Sequence, residues 1–287
     1  MPTRSNRPAP GPGLTREQRG QFLEDGVVRL PGLVPPRAVD AMAERLWADL
    51  AARCGALRGR PDTWPRGGAF QFRELRRAGA FAPLLSDGLA GVLDGVFAGR
   101  GWTPPAHPGL PLVTFPNAAA WIVPHQSWHL DILPGVVLDP WPDHVRVFTF
   151  LAPAEPGGGG GTLYVAGSHR ATMQVMAEAS SRAWIRSAAV LGELRARSPW
   201  MAELCAPGEP DDRLRRFMAA SGACRGVPLQ GGEMTGAPGD VILMHPGIVH
   251  AAAPNARATP RLMLAETING KAQAAASGPA AGGQRRS

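Results

Sequence analysis

Between Thr15 and Val96 the apolar positions recur at helical spacing, and after Trp102 they collect into short runs. Thr15 followed by Gln18 predicts a capping box, and a short helix to about Glu24 that Gly26 ends. Val27–Leu30 then reads as a short strand. From Pro36 to Arg53 the apolar residues Val39, Met42, Ala43, Leu46, Trp47 and Leu50 trace one face of an amphipathic helix, with proline in its first turn. A second helical stretch runs from Leu84 to Val96 and is thinned by Gly88, Gly91 and Gly95. The later runs are Leu112–Phe115, Ala119–Val123, Val145–Leu151, Thr162–Ala166, Asp240–Met244 and Arg261–Ile268, separated by Gly, Pro and Asn. That spacing predicts an antiparallel sandwich or barrel. A helix-like stretch rich in Arg and Ala, about 172–224, interrupts it.

Composition sets the limits. In a chain of 287 residues, 44% are hydrophobic and 18% charged, which suits a globular body with a sizeable core. The Pro-, Gly- and Arg-rich residues 1–13 and the low-complexity residues 271–287 read as disordered ends. One domain is expected over 14–270. The net charge of +7 sits mainly in residues 1–20 and 271–287, where Arg4, Arg7, Arg16, Arg19, Lys271, Arg285 and Arg286 lie. A nucleic-acid partner, which needs basic residues clustered on the folded body, is therefore not expected. No apolar run approaches the ~18 residues of a membrane span. The N-terminus has no apolar signal segment, and Cys54, Cys205 and Cys224 form no pair of close spacing, so the expected compartment is the cytoplasm.

Three segments can carry chemistry. In Trp128-His129-Leu130-Asp131, a strand would put His129 and Asp131 on one face, an imidazole beside a carboxylate, as a metal site needs. A surface histidine beside a turn carboxylate gives the same tripeptide. His125 and His129 also have the spacing of a helical zinc site, but Gln126 stands where that motif has glutamate, and Pro124 and Pro134 disfavour a helix. In the second segment Gly239-Asp240 leads into an apolar run with His245 and His250, and Arg261 follows eleven residues after His250. A hairpin could bring His250 and Arg261 into one cavity, where a guanidinium fork suits a carboxylate; a solvated strand-edge arginine fits the spacing too. The third segment, Gly157–Gly161 before TLYVAGSHR, lacks a phosphate-loop lysine and precedes a strand, so it reads as a turn.

Taken in order, LTREQRGQFLEDGVVRLPGLV, WHLD, TLYVAGSHR and GDVILMHPGIVHAAAPNARATPR resemble the phytanoyl-CoA dioxygenase family. The likeness spans about residues 14–268. It departs from the family pattern at Ala166, where proline is usual, and in the long glycine run. The resemblance implies a mainly β fold with flanking helices. Its core would be a double-stranded β-helix, the cupin-like jelly roll, with N-terminal helices and a helical insertion. It implies His129, Asp131 and His250 as ligands of Fe(II), 2-oxoglutarate as cosubstrate, and O2 as oxidant. By the same resemblance Arg261 would hold the distal carboxylate of 2-oxoglutarate, and His250 rather than His245 would be the distal ligand. Gln126 is a further candidate contact to 2-oxoglutarate or substrate. No catalytic residue beyond the metal centre is expected. The implied activity is hydroxylation of an unactivated C–H bond of a small-molecule or acyl substrate, with release of succinate and CO2. Halogenases of the superfamily lack the carboxylate ligand, and Asp131 therefore points to hydroxylation. A cupin-like metal-dependent hydrolase or isomerase, and a non-catalytic small-molecule binder, are the alternatives. The seven insertion arginines, Arg182, Arg186, Arg195, Arg197, Arg213, Arg215 and Arg216, would suit a carrier- or CoA-linked anionic substrate, or simply a solvated helical face. Trp184, Trp200, Met201, Phe217 and Met218 read as the undersides of those helices or as pocket lining.

Overall fold

A computed structural model describes residues 13–65, 70–97, 100–133, 141–178 and 186–271. The expected ends, 1–13 and 271–287, lie almost wholly outside the described residues.

Helix α1 (Arg16–Asp25) opens on the capping box read from the sequence: the Thr15 hydroxyl accepts from Gln18 N, and Gln18 reaches back to Thr15 N. Gly26 ends it at φ 75°, a left-handed conformation that glycine adopts without strain. A side chain there would also strike the His169 ring. Strand β1 (Val27–Leu30) leads to α2 (Pro36–Cys54), whose predicted apolar face is the buried one. The short α3 (Arg73–Arg77) precedes α4 (Asp87–Val96), which tolerates its glycines because Leu89, Val92, Leu93 and Val96 are buried against α2 and the sheet.

Two antiparallel sheets follow. The larger contains β1, β2 (Trp102–Thr103), β3 (Leu110–Thr114), β4 (His144–Phe150), β8 (Val241–Met244) and β10 (Arg261–Gly270). Its order is β1-β8-β4-β10-β2, with β3 also paired to β10. The smaller has the order β6 (Gly222–Cys224), β7 (Val227–Glu233), β5 (Thr162–Ala166), β9 (His250–Ala252). From β7 onward successive strands alternate between the sheets, as a double-stranded β-helix requires. Phe148, Phe150, Ile242, Met244, Met263 and Ala265 of the larger sheet fill the space between them and meet Tyr164 of the smaller. The opposite face of the larger sheet, with Val145, Val147, Leu243 and Leu264, packs on the N-terminal helices.

Two segments differ from the sequence reading. Ala119–Val123 forms no strand; the amides of Asn117 and Ala118 donate to the Asn255 carbonyl instead, and Trp121 and Ile122 are half-exposed. The segment holding His129 is a single antiparallel bridge to His250, flanked by irregular chain, rather than a strand. Strand β7 was not legible because Pro228, Gly231 and Gly232 break its pattern. Those glycines leave room for the Phe217 carbonyl and the Tyr164 ring.

The helices between β5 and β6 are α5 (Ser168–Glu178), α6 (Ser187–Arg197), α7 (Pro199–Leu204) and α8 (Pro210–Leu214), closed by a wide turn over Arg215–Ala219. Trp200, Met201 and Phe217 are buried beneath them with Met218 packed alongside, so these are helix undersides; Trp184 lies outside the described residues. Arg197, Arg215 and Arg216 pair with Glu178, Asp212 and Glu203. These three are salt-bridged surface residues, and Arg182 lies outside the described residues. Among the described residues no helix is long and apolar enough to cross a membrane.

Candidate functional site

The isolated bridge from His129 to β9 places the first side chains of the site. His129 and His250 exchange backbone hydrogen bonds at 2.9 and 3.0 Å, which sets their rings with centroids 4.1 Å apart and tilted by 49°. Ser127, two residues ahead, is left-handed at φ 66°, a conformation uncommon outside glycine, and it turns the chain into the bridge. Asp131 lies two residues on, its amide held by the Pro246 carbonyl. Its Oδ1 is 3.9 Å from His129 Nε2, and its Oδ2 is 3.4 Å from His250 Nε2. One donor atom from each of the three residues falls within 4.8 Å of the others.

The tautomers follow from the backbone. His129 Nδ1 lies 2.8 Å from the Ser127 carbonyl and His250 Nδ1 lies 3.0 Å from the Ile248 carbonyl. A carbonyl only accepts, so each Nδ1 carries a proton, and in the neutral ring each Nε2 keeps a lone pair on the side of Asp131. Burial, with the neighbouring His250, lowers the His129 pKa and favours that neutral form. Burial alone would raise the Asp131 pKa, but His250 and the Arg146 guanidinium hold it well below the usual carboxylate range. Two imidazole Nε2 atoms and one carboxylate are thus gathered as candidate donors.

Arg261 begins β10 opposite Thr114 of β3. It is 5% exposed, and its Nη2 donates to Thr114 Oγ1 at 2.6 Å. Among the described residues its Nη1 meets the Met263 thioether, at 3.7 Å, and its buried Nε has no hydrogen-bond partner. Among the described residues no carboxylate pairs with it. Burial pushes its pKa down to about 10, still cationic at neutral pH. A buried arginine left this way is costly, and an incoming anion would relieve it. A cavity of about 420 Å³ is lined by Thr114, Gln126, Ser127 and Ala252 among others, which places it between Arg261's partner and the residues flanking both histidines.

Gln126 is exposed and lines that cavity. His245, at the end of β8, is buried against His169 and Phe22 and lies outside the donor cluster. His169 makes a structural hydrogen bond to the Leu23 carbonyl. Trp128 is buried and donates to the Pro124 carbonyl. Asp240 gathers Gly32 N, Ala237 N and Arg29 Nε, tying β1 to β8. Asn255 braces the chain before Arg261 by donating to the carbonyls of Thr114 and Thr259. The amides of Gly157 and Gly158 are taken by the Glu233 carboxylate, which makes the glycine run a turn and leaves no phosphate cradle there.

Sequence reasoning missed Thr114, His144 and Arg146. Each reaches the site from a neighbouring strand, and Thr114 is 147 residues from Arg261. The signal for the last pair was the His144-x-Arg146 alternation on β4.

No protein-family model matches the chain, and no curated protein matches it in sequence. Solved structures do match it in shape. HygX from Streptomyces hygroscopicus, with nickel and 2-oxoglutarate bound, is 18% identical over 91% of this chain and 88% of its own, with a TM-score of 0.53. AviO1 from Streptomyces viridochromogenes Tue57 is 18% identical over 89% of this chain and 95% of its own, at 0.54. EctD from S. alaskensis, with 2-oxoglutarate and 5-hydroxyectoine, is 17% identical over 94% of this chain and 80% of its own, at 0.51. At such identities the likeness is one of fold, and the fold of this chain is the mainly β jelly roll with flanking helices.

Proposed function

We propose that this chain is a non-haem Fe(II)- and 2-oxoglutarate-dependent dioxygenase that hydroxylates an unactivated C–H bond of a small molecule. The observation that carries the reading is the presence of two features: the His129–Asp131–His250 donor cluster, and a buried arginine with an unmet demand for an anion. Two imidazoles and one carboxylate suit ferrous iron and leave positions for other ligands. With iron and 2-oxoglutarate bound, such a centre supplies oxygen activation coupled to loss of CO2 and formation of succinate.

The protein's own residues do the rest. His129 and His250 offer Nε2 because their Nδ1 protons are fixed on backbone carbonyls. Arg261 and the Thr114 hydroxyl would take the distal carboxylate of the keto acid, through a planar fork suited to it. Phe148, Met263 and Ala265 belong to the buried apolar cluster between the sheets, and Met263 lies against Arg261. The cavity volume, about 420 Å³, suits a small molecule, and Gln126 stands where one would enter. A hydrolase or isomerase on this fold has no use for the anion-seeking Arg261, and a mere binder has no use for the donor cluster beside it. HygX and EctD, whose structures hold 2-oxoglutarate, support the same choice.

Anaerobic titration of the metal-free protein with Fe(II) and 2-oxoglutarate tests the reading. A weak visible charge-transfer band is expected in the wild type and a much weaker one in Arg261→Ala. Bound iron with no band would retire the oxygenase reading.

A further inference from the structure

His144 and Arg146 stand two residues apart on β4 and so project from the same face. Both reach Asp131. His144 is fully buried, and its Nε2 lies 3.0 Å from the Asp131 carbonyl, to which it donates. Arg146 Nε lies 2.8 Å from Asp131 Oδ2, a charge contact outside hydrogen-bond geometry. The guanidinium is itself fixed. Its Nη1 donates to Thr267 Oγ1 at 2.5 Å, from the residue opposite it on β10, and its Cζ lies 5.5 Å from the Phe148 ring centre. Asp131 belongs to no regular strand, so β4 holds it at main chain and side chain together.

A free carboxylate can chelate an ion through both oxygens. Here Oδ2 faces the Arg146 cation and lies 3.4 Å from His250 Nε2, while Oδ1 is the oxygen nearer His129 Nε2. We propose that Arg146, braced by Thr267 and backed by His144, is a positioning residue that restrains the Asp131 carboxylate through Oδ2, so that Asp131 offers a metal ion one oxygen rather than both. This rests on the metal-binding reading of the cluster. The carboxylate then takes one position at the ion, and a chelating keto acid finds the room it needs. The role is geometric, because a positive charge beside the carboxylate weakens rather than strengthens its hold on a divalent cation.

The two effects separate in binding measurements. Metal-free wild type, Arg146→Leu and Arg146→Lys would be titrated anaerobically with Co(II), whose visible absorption reports its coordination number, and then with 2-oxoglutarate. Arg146→Leu is expected to bind Co(II) as tightly as wild type or more tightly, with an altered Co(II) spectrum. Its affinity for 2-oxoglutarate should fall about 10- to 100-fold, and Arg146→Lys should recover most of it. Unchanged spectrum and affinities in Arg146→Leu would overturn the inference while leaving the metal reading intact. Parallel loss of Co(II) affinity, 2-oxoglutarate affinity and melting temperature in both variants would overturn it in favour of a packing role. Failure of the wild type to bind Co(II) would overturn both.

Discussion

Two arginines of this protein are equally buried, at 5% exposure, and their surroundings are opposite. Arg213, under the helices of the insertion, donates to the carbonyls of Val123, Pro124, Glu203, Leu204 and Ala206 at 2.6 to 3.2 Å. Its ring neighbour is Phe217, 5.0 Å from Cζ. Every nitrogen is occupied, and the residue stitches the segment before His129 to α7 and the start of α8. Arg261, in the barrel, has one hydroxyl, one thioether and an unmet Nε. Burial alone therefore does not mark a functional arginine. The difference lies in what the fold leaves unsatisfied, since a buried polar group without a partner persists only where something else completes it.

The comparison can be broken at either end. Arg261→Ala should cost about 4 kcal/mol in 2-oxoglutarate binding, roughly a thousandfold, with folding stability unchanged or raised because an unpaired buried charge is removed. Calorimetric titration and thermal melting read the two effects. Arg213→Ala should do the reverse. Five carbonyls would lose their donor, at about 3 kcal/mol of stability and roughly 10 °C of Tm, with metal and 2-oxoglutarate binding little changed in the protein that remains folded. If both variants lose stability and neither loses 2-oxoglutarate, Arg261 is a structural residue like Arg213.

His169 lies between the two cases and sharpens them. Its Nε2 donates to Leu23, while its Nδ1 is buried without a hydrogen-bond partner, and burial lowers its pKa from the ordinary 6.5 to about 4. The unfolded chain takes up a proton as pH falls through 6.5, and the native histidine does not until about 4. Stability is thus fully present above 6.5 and lost progressively down to about 4, by up to about 3 kcal/mol. Melting curves from pH 8 to 4 should show this slope, and His169→Gln should flatten it. The smallest effect is expected at Thr114→Val, which keeps the shape and removes the hydroxyl. A loss of about 1 kcal/mol in 2-oxoglutarate affinity, roughly fivefold, would place Thr114 beside Arg261 as a carboxylate partner.

The sequence carried those parts of this picture that are local. The capping box at Thr15, the apolar face of α2 and most strands of the larger sheet follow from short-range pattern. The spacing from His129 to Asp131, and from His250 to Arg261, exposed the candidate site, and the family resemblance supplied its meaning. What stayed hidden depends on pairing between distant strands. Thr114 meets Arg261 only through the β3–β10 register, and Arg146 meets Thr267 only through β4–β10. The insertion arginines looked alike in sequence, yet packing makes Arg213 a buried tie and leaves Arg197, Arg215 and Arg216 as solvated ion pairs. Ala119–Val123 shows the limit of apolar pattern, because its neighbours' amides are claimed by the Asn255 carbonyl.

The most direct test is a crystal structure of the protein grown without oxygen in the presence of Fe(II), or an inert divalent substitute, and 2-oxoglutarate. One ion should lie among His129 Nε2, His250 Nε2 and Asp131, with the keto acid's distal carboxylate on Arg261 and Thr114. An ion bound elsewhere, or a keto acid that leaves Arg261 untouched, would contradict the account.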